Sequence, residues 1–286
     1  MNLSIYYPKT LIWFFAGLAL LMASCQGGGY DYYQKTYSAE EHKALAQTLT
    51  DGIGNYYQGS PACQALLEEA KGYDPTYALA YREIGVPYLK RGIAAAFPHY
   101  YGKAADLDPL GWIGWRGYLY LYFYRDYERA LLDFNRLDTI TPGVVDYPQS
   151  TSVDYMRAIC HLQLGDYDSA IDYLDQHIAH EDTIAGFKYI PPEAFLFRGI
   201  AYWKKVEPEQ AIRSFLTGHD LEDYNADLQF WLAKVYAENG LQSEARKWFK
   251  QAEKAFQEGD YNRRPYVEEF YQLYTEDFDA LRIQLE

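Results

Sequence analysis

RDYERALLDFNRLDTITP, residues Arg125 to Pro142, reads as an amphipathic helix that stops at a proline. Leu131, Phe134 and Leu137 recur at helical spacing, with Asp133, Asn135 and Arg136 between them. Ala130 stands where a leucine would fit, which implies a neighbour too close for a larger side chain. The pattern returns. Ala170 in GDYDSAIDYL, Ala211 in VEPEQAIRSF and Ala245 in GLQSEARKWF follow at steps of 40, 41 and 34 residues. Pro75, Pro109 and Pro142 end three helical stretches at steps of 34 and 33. Gly117, Ala158, Gly199 and Ala233 precede the four alanines by 12 or 13 residues, room for one helix, a tight turn and the start of a second.

A helix-turn-helix unit repeating near this length resembles the tetratricopeptide repeat (TPR). The likeness is carried by the small residue of the first helix and by Tyr88, Tyr202 and Tyr236 three positions after it. The alanine opening the second helix and Phe134, Leu174, Phe215 and Phe249 four positions later complete it. The resemblance implies an all-α chain, an α-solenoid wound as a right-handed superhelix, with about six units over residues 39–260. Their expected starts are near Ala39, Thr76, Pro109, Ser150, Pro192 and Ala226. The longer steps place extra residues in TPGVVDYPQS and HEDTIAGFKYIPP, both between units and so on one edge. After Asp260 the pattern ends. NRRPYVEEFYQLYTEDFDALRIQLE reads as a single capping helix within residues 261–286, with Pro265 in its first turn. Val267, Phe270, Tyr271, Tyr274, Phe278 and Leu281 form the stripe that would cover the last repeat.

The N-terminus has a different character. LIWFFAGLALLMASC, Leu11 to Cys25, is uncharged, apolar and closed by small residues, with Lys9 the lone charge before it. That is the layout of a secretory signal, too short to span a bilayer. Ala23-Ser24-Cys25 resembles the bacterial lipobox, which implies a signal peptide over residues 1–24 and lipid attachment at Cys25. Residues 25–38, with three successive glycines, then form a flexible tether. By resemblance to lipoprotein sorting, Gln26 favours the outer membrane. The expected location is the cell envelope, reached through the lipid anchor. Cys63 and Cys160 lie about three repeats apart, so both are expected as buried thiols and not as a bridge.

Charge narrows the function. The 286-residue chain carries a formal charge of −14 and no basic patch, so nucleic acid is excluded as a partner. Aromatic residues make up 18%, with 31 Tyr, suited to helix-packing seams or a contact surface. His177, His180, Glu181 and Asp182 in HIAHED are the best metal candidates, but the segment lacks four ligands at recognised spacing. The pairs Glu40-Glu41, Glu68-Glu69 and Glu268-Glu269 point to different sides of a helix and read as solvated faces. No nucleophile motif, phosphate loop or convergent acid pair appears, so catalytic, metal and cofactor sites are all expected to be absent. Arg116, Arg157 and Arg198 recur at 41-residue steps and are expected to pair with carboxylates of their own unit's second helix, such as Asp133 or Asp172.

The expected function is a non-enzymatic protein-binding scaffold; the alternative is a solute- or glycan-binding lipoprotein that uses a Tyr/Trp-rich groove. By resemblance to TPR arrays, the residues flanking each small position line a groove. These are Arg82, Val86, Tyr155, Ile159, Leu162, Leu196, Ile200, Trp203, Phe230 and Lys234. Met156, Phe197 and Trp231 compete for the same places. A face so apolar implies a protein or peptide partner with an apolar segment. The same face could instead be covered by the chain's own terminal helix or by its tether.

Overall fold

The computed structural model describes residues 37–286, so the signal segment, Cys25 and nearly all of the tether lie outside the described residues. Thirteen α-helices and no strand are found among those described. The chain divides after Leu107 into two compact units. The first holds α1 (Ala39–Asp51), α2 (Pro61–Tyr73), α3 (Ala78–Lys90) and α4 (Phe97–Leu107). The second holds α5 (Pro109–Leu119), α6 (Tyr127–Ile140), α7 (Val153–Leu164), α8 (Tyr167–Ile184), α9 (Pro192–Lys204), α10 (Pro208–Leu221), α11 (Ala226–Glu238), α12 (Gln242–Glu258) and α13 (Thr275–Leu285). No described helix is long and apolar enough to cross a membrane.

Helices α1 to α12 pack as six successive hairpins, two in the first unit and four in the second. Each starts where local chemistry permits. Ser60, Asp108, Asp126, Asp166 and Asn225 accept a hydrogen bond from the backbone N–H three residues on, satisfying a donor the helix cannot. Proline occupies the first turn of α2, α5, α9 and α10, where its missing N–H costs nothing.

Within each hairpin of the second unit the turn sits five residues before the close-approach alanine. There Arg125, Gly165, Val206 and Gly240 all take the left-handed conformation, with φ of 53°, 81°, 62° and 76°. That geometry lets the next N–H reach back to the helix end, as Asp166 does to His161 and Leu241 to Tyr236. Glycine adopts it freely, whereas a side chain is strained there.

The small positions work as expected. A Cβ on Gly117 would lie 2.5 Å from Phe134 Cε1, and one on Gly199 2.2 Å from Phe215 Cε1. Ala130, Ala158, Ala170, Ala211, Ala233 and Ala245 are wholly buried. Cys63 and Cys160 are buried free thiols. The arginine ladder departs in part from expectation. Arg116 does grip Asp133 of its own hairpin through two 2.8 Å bonds. Arg157 instead reaches the preceding hairpin, at Asp138 (2.5 Å) and the Phe134 carbonyl (2.7 Å), besides Asp154 on its own helix. Arg198 likewise bonds Asp175 of the preceding hairpin at 2.6 Å and Ser214 of its own at 3.1 Å. Asp172 is not used in the contacts of either arginine. Two of the three arginines therefore join neighbouring hairpins.

The terminal helix is a correction. The segment 261–286 is not one helix: residues 262–274 form an irregular strap, and only Thr275–Leu285 is helical. Tyr266 and Tyr271 have φ of 73° and 55°, which no α-helix permits. Asp277 accepts from the Tyr274 N–H at 2.8 Å, capping a new helix well past Pro265. Val267, Phe270 and the three tyrosines of the strap have weak helix propensity, so tertiary contacts decide its course.

Candidate binding groove

Helices α5, α7, α9 and α11 are the first helices of the four hairpins of the second unit. Tyr118 of α5, Phe197 of α9 and Trp231 of α11, with Tyr122 just after α5, meet the strap along its length. At its start, the Ala226 N–H donates to the Asp260 carbonyl at 2.8 Å, and the Asn262 N–H donates to Asp227 Oδ2 at 2.7 Å. Asp227 is 2% exposed, and burial pushes its carboxyl up to about 7 despite the bond from Asn262. Arg264 then crosses to α5. Its guanidinium lies 3.7 Å from the Tyr122 ring centre, donates to Tyr118 Oη at 2.9 Å and pairs with Glu269 at 3.0 Å. Such stacking with a paired carboxylate is what a planar guanidinium does best.

Phe270 and Tyr271 are adjacent yet serve different hairpins. Phe270 packs on Tyr122 and Tyr127, with ring centres 5.5 and 6.2 Å apart. Tyr271 packs on Trp231 of α11 at 5.9 Å and Phe197 of α9 at 6.4 Å. A helix would turn these neighbours by only about 100°, and left-handed Tyr271 supplies the larger change. Arg125 explains its own strain here. From its left-handed turn it sets its guanidinium 4.0 Å from the Phe270 ring and bonds the Glu268 carbonyl, which glycine could not do. Beyond the strap, Phe278 of α13 inserts among Phe230, Phe249 and Phe256, at 5.1, 6.0 and 4.7 Å.

The expected groove residues divide accordingly. Ile159, Leu162, Leu196, Ile200 and Phe230 are brought together in one core with Phe270, Leu273, Phe278 and Leu281, and all are buried. Being buried, they do not form a free apolar face, and the C-terminal segment contributes to the core that holds them. Tyr155 is half-buried against Phe197 and His177. Trp203 and Lys234 are half-buried; Trp203 Nε1 donates to Glu238 at 2.6 Å and Lys234 pairs with the same carboxylate at 3.3 Å. With Phe230 they line a pocket of about 360 Å³ closed by Tyr271, Leu273 and Leu281. Arg82 and Val86 belong to the first unit, where half-buried Arg82 bonds Tyr101 Oη at 3.3 Å and pairs with Glu83. Tyr118 and Tyr122 were missed. Tyr118 follows Gly117 as Ile159 follows Ala158, so the same position rule applied to α5 finds it.

His177 and His180 of the HIAHED stretch face different neighbours. His177 is buried and held neutral by that burial, with Glu181 3.7 Å away, and His180 turns instead to the Tyr147 ring. Among the described residues no group of three or more His, Cys, Asp or Glu side chains could hold a metal ion.

A family model described as tetratricopeptide repeat matches residues 125–183, 155–218 and 198–260. No curated protein matches the sequence. Among solved structures, PilW, described as a widely conserved type IV pilus biogenesis factor, is similar with a TM-score of 0.58 and 15% identity. The match covers 85% of this chain and 98% of that one. PilF of Pseudomonas aeruginosa gives 0.52 at 17% identity, over 81% and 98%. A tetratricopeptide repeat protein of Parabacteroides merdae gives 0.51 at 15% identity, over 91% and 99%. At such identities the likeness concerns the fold, an α-solenoid, and nothing finer.

Proposed function

We propose that the chain, whose residues 125–260 match the tetratricopeptide repeat family model, is a non-enzymatic scaffold whose second unit binds an extended segment of a protein partner. One observation carries the reading. The strap at residues 262–274 lies against the first helices α5, α9 and α11 as an irregular peptide, held by an arginine, two adjacent aromatics and a backbone N–H bonded to Asp227. The strap is therefore a ligand in cis, and a partner segment of similar chemistry, with Arg and aromatic residues in the same order, exchanges with it. Peptide grooves of helical arrays work through such anchors.

The test is exchange in trans. A fluorescent peptide of residues 261–274 is expected to bind the Phe270→Ala/Tyr271→Ala variant, whose own strap has lost its anchors, and to bind wild type far more weakly. Equal failure to bind both, with helical content unchanged, would refute the groove. The scaffold also sits at the cell envelope in this reading, lipid-anchored through Cys25, on the support of the apolar Leu11–Cys25 run and the glycines after it. Labelling with an alkynyl fatty acid tests that separately: wild type should take up label and Cys25→Ala should not. Unlabelled wild type would sink the anchor.

A further inference from the structure

The two inter-unit insertions do meet. Tyr147 and Ser150 from the first, Thr151 and Ser152 just after it and Pro191 from the second face Arg263, Arg264 and Glu269 of the strap across a pocket of about 430 Å³. We propose that this pocket binds a primary ammonium group, of the kind carried by a lysine side chain of a partner protein or by a free alkylamine.

Two buried polar atoms point to a ligand there. Ser152 Oγ and His177 Nδ1 belong to side chains 3% and 4% exposed, both line the pocket, and neither atom has a hydrogen-bond partner. A buried polar atom left unbonded is costly, so two on one pocket wall call for an occupant. Ser152 precedes α7 but makes no capping bond, so the helix does not employ its hydroxyl. Burial keeps His177 neutral, which leaves one ring nitrogen a lone-pair acceptor.

Charge gives the sign. Glu181, Glu193 and Glu269 face Arg263 and Arg264. Arg264 is spent on Glu269 at 3.0 Å, while exposed Arg263 stacks on Tyr261 at 5.3 Å. Glu181 accepts from Tyr147 Oη at 2.9 Å. Glu193, in the first turn of α9, has no cation of its own. Burial, then its Glu222 and Glu269 neighbours, push its carboxyl above the usual range, against its own backbone N–H and Arg264. An anion would meet these carboxylates unfavourably. An ammonium has three donors and no acceptor, and the Glu193 carboxylate, Ser152 Oγ and the imidazole offer three acceptors. The Tyr147 and Tyr155 rings suit the alkyl stem and the charge.

This site needs the strap in place, since Arg263, Arg264 and Glu269 form one of its walls, so its test involves no displaced strap. The full chain in detergent micelles is titrated with acetyl-Gly-Lys-Gly-amide, its norleucine counterpart, butylammonium and inorganic phosphate, read by saturation-transfer NMR. The lysine peptide is expected to bind and the norleucine peptide not. Glu193→Gln should weaken binding about tenfold, since a bond to a charged group is lost. Ser152→Ala should weaken it a few-fold with circular dichroism unchanged, and it decides the matter should Glu193→Gln misfold. Butylammonium binding as well as the lysine peptide assigns a free amine; binding of the peptide alone assigns a protein partner. Equal binding of lysine and norleucine, tighter binding of phosphate, or full affinity in a folded Ser152→Ala would overturn the site.

Discussion

Gly199 and Phe215 give the sharpest quantitative test of the repeat packing. A methyl group on Gly199 would lie 2.2, 2.5 and 2.7 Å from three carbons of the Phe215 ring. Ordinary carbon contact is near 3.5 Å, so the ring must retreat by about 1 Å. Phe215 is wholly buried. Overpacking of this kind costs about 1–3 kcal/mol. Replacing a mid-helix glycine by alanine returns about 0.5–1 kcal/mol. Gly199→Ala should therefore destabilise by about 0.5–2 kcal/mol, read from the urea midpoint by circular dichroism. Phe215→Leu alone should cost about 1–2 kcal/mol through the void it leaves. Hairpin four carries alanine and leucine at the matching positions, Ala158 and Leu174, both fully buried. The double variant copies that pair, so it should lose less than the sum of the singles by about 1 kcal/mol or more. Hairpin six keeps phenylalanine opposite Ala233, but its Phe249 ring packs toward Phe278, 6.0 Å away. Additivity of the two changes, or a Gly199→Ala protein more stable than wild type, would refute the close-approach argument.

Three further outcomes are expected. Val206→Gly should stabilise by about 0.5–1 kcal/mol, since a β-branched residue is strained at φ 62° and this one is 84% exposed; an unchanged urea midpoint would contradict it. Arg116→Ala should cost about 3 kcal/mol by leaving Asp133, 5% exposed, without its bidentate partner, and a loss below about 1 kcal/mol would show the pair to be dispensable. Asp227 holds its proton up to about pH 7 in the folded chain and releases it near the ordinary carboxylate range when unfolded. Its contribution is thus complete at low pH and is lost as pH rises through about 7. Wild type should lose stability relative to Asp227→Asn between about pH 4 and 7, and parallel melting profiles over that range would contradict it.

The hairpins were legible because their period is a packing requirement. Ala39, Pro109, Pro192 and Ala226 are the first residues of α1, α5, α9 and α11, and Thr76 and Ser150 fall two and three residues before α3 and α7. Small residues can repeat only where helices touch, so the interval survives in the sequence. The turns were less legible. Arg125 and Val206 occupy left-handed positions without the glycine that marks Gly165 and Gly240. The strap was hidden for another reason. Val267, Phe270, Tyr271, Tyr274 and Phe278 fit a helical stripe by spacing alone, yet Phe270 and Tyr271 diverge toward separate hairpins. Periodicity records which residues are apolar, and a groove built elsewhere in the chain decides where they point. Of the ten groove positions, five are buried in the same apolar core as Phe270, Leu273 and Phe278.

A solenoid normally behaves like a row of dominoes, in which each member feels only the next and the ends fray first. Arg264 reaches Tyr118 across 146 residues of sequence, and Arg125 holds the Glu268 carbonyl across 143. Those bonds fasten the last stretch of the chain to the first hairpin of its unit, so the row is buckled like a belt. Neither end of that unit can loosen without releasing the other. Amide exchange should then find α5 and α11 protected to a similar degree, where an unbuckled row would show a gradient from the middle outward.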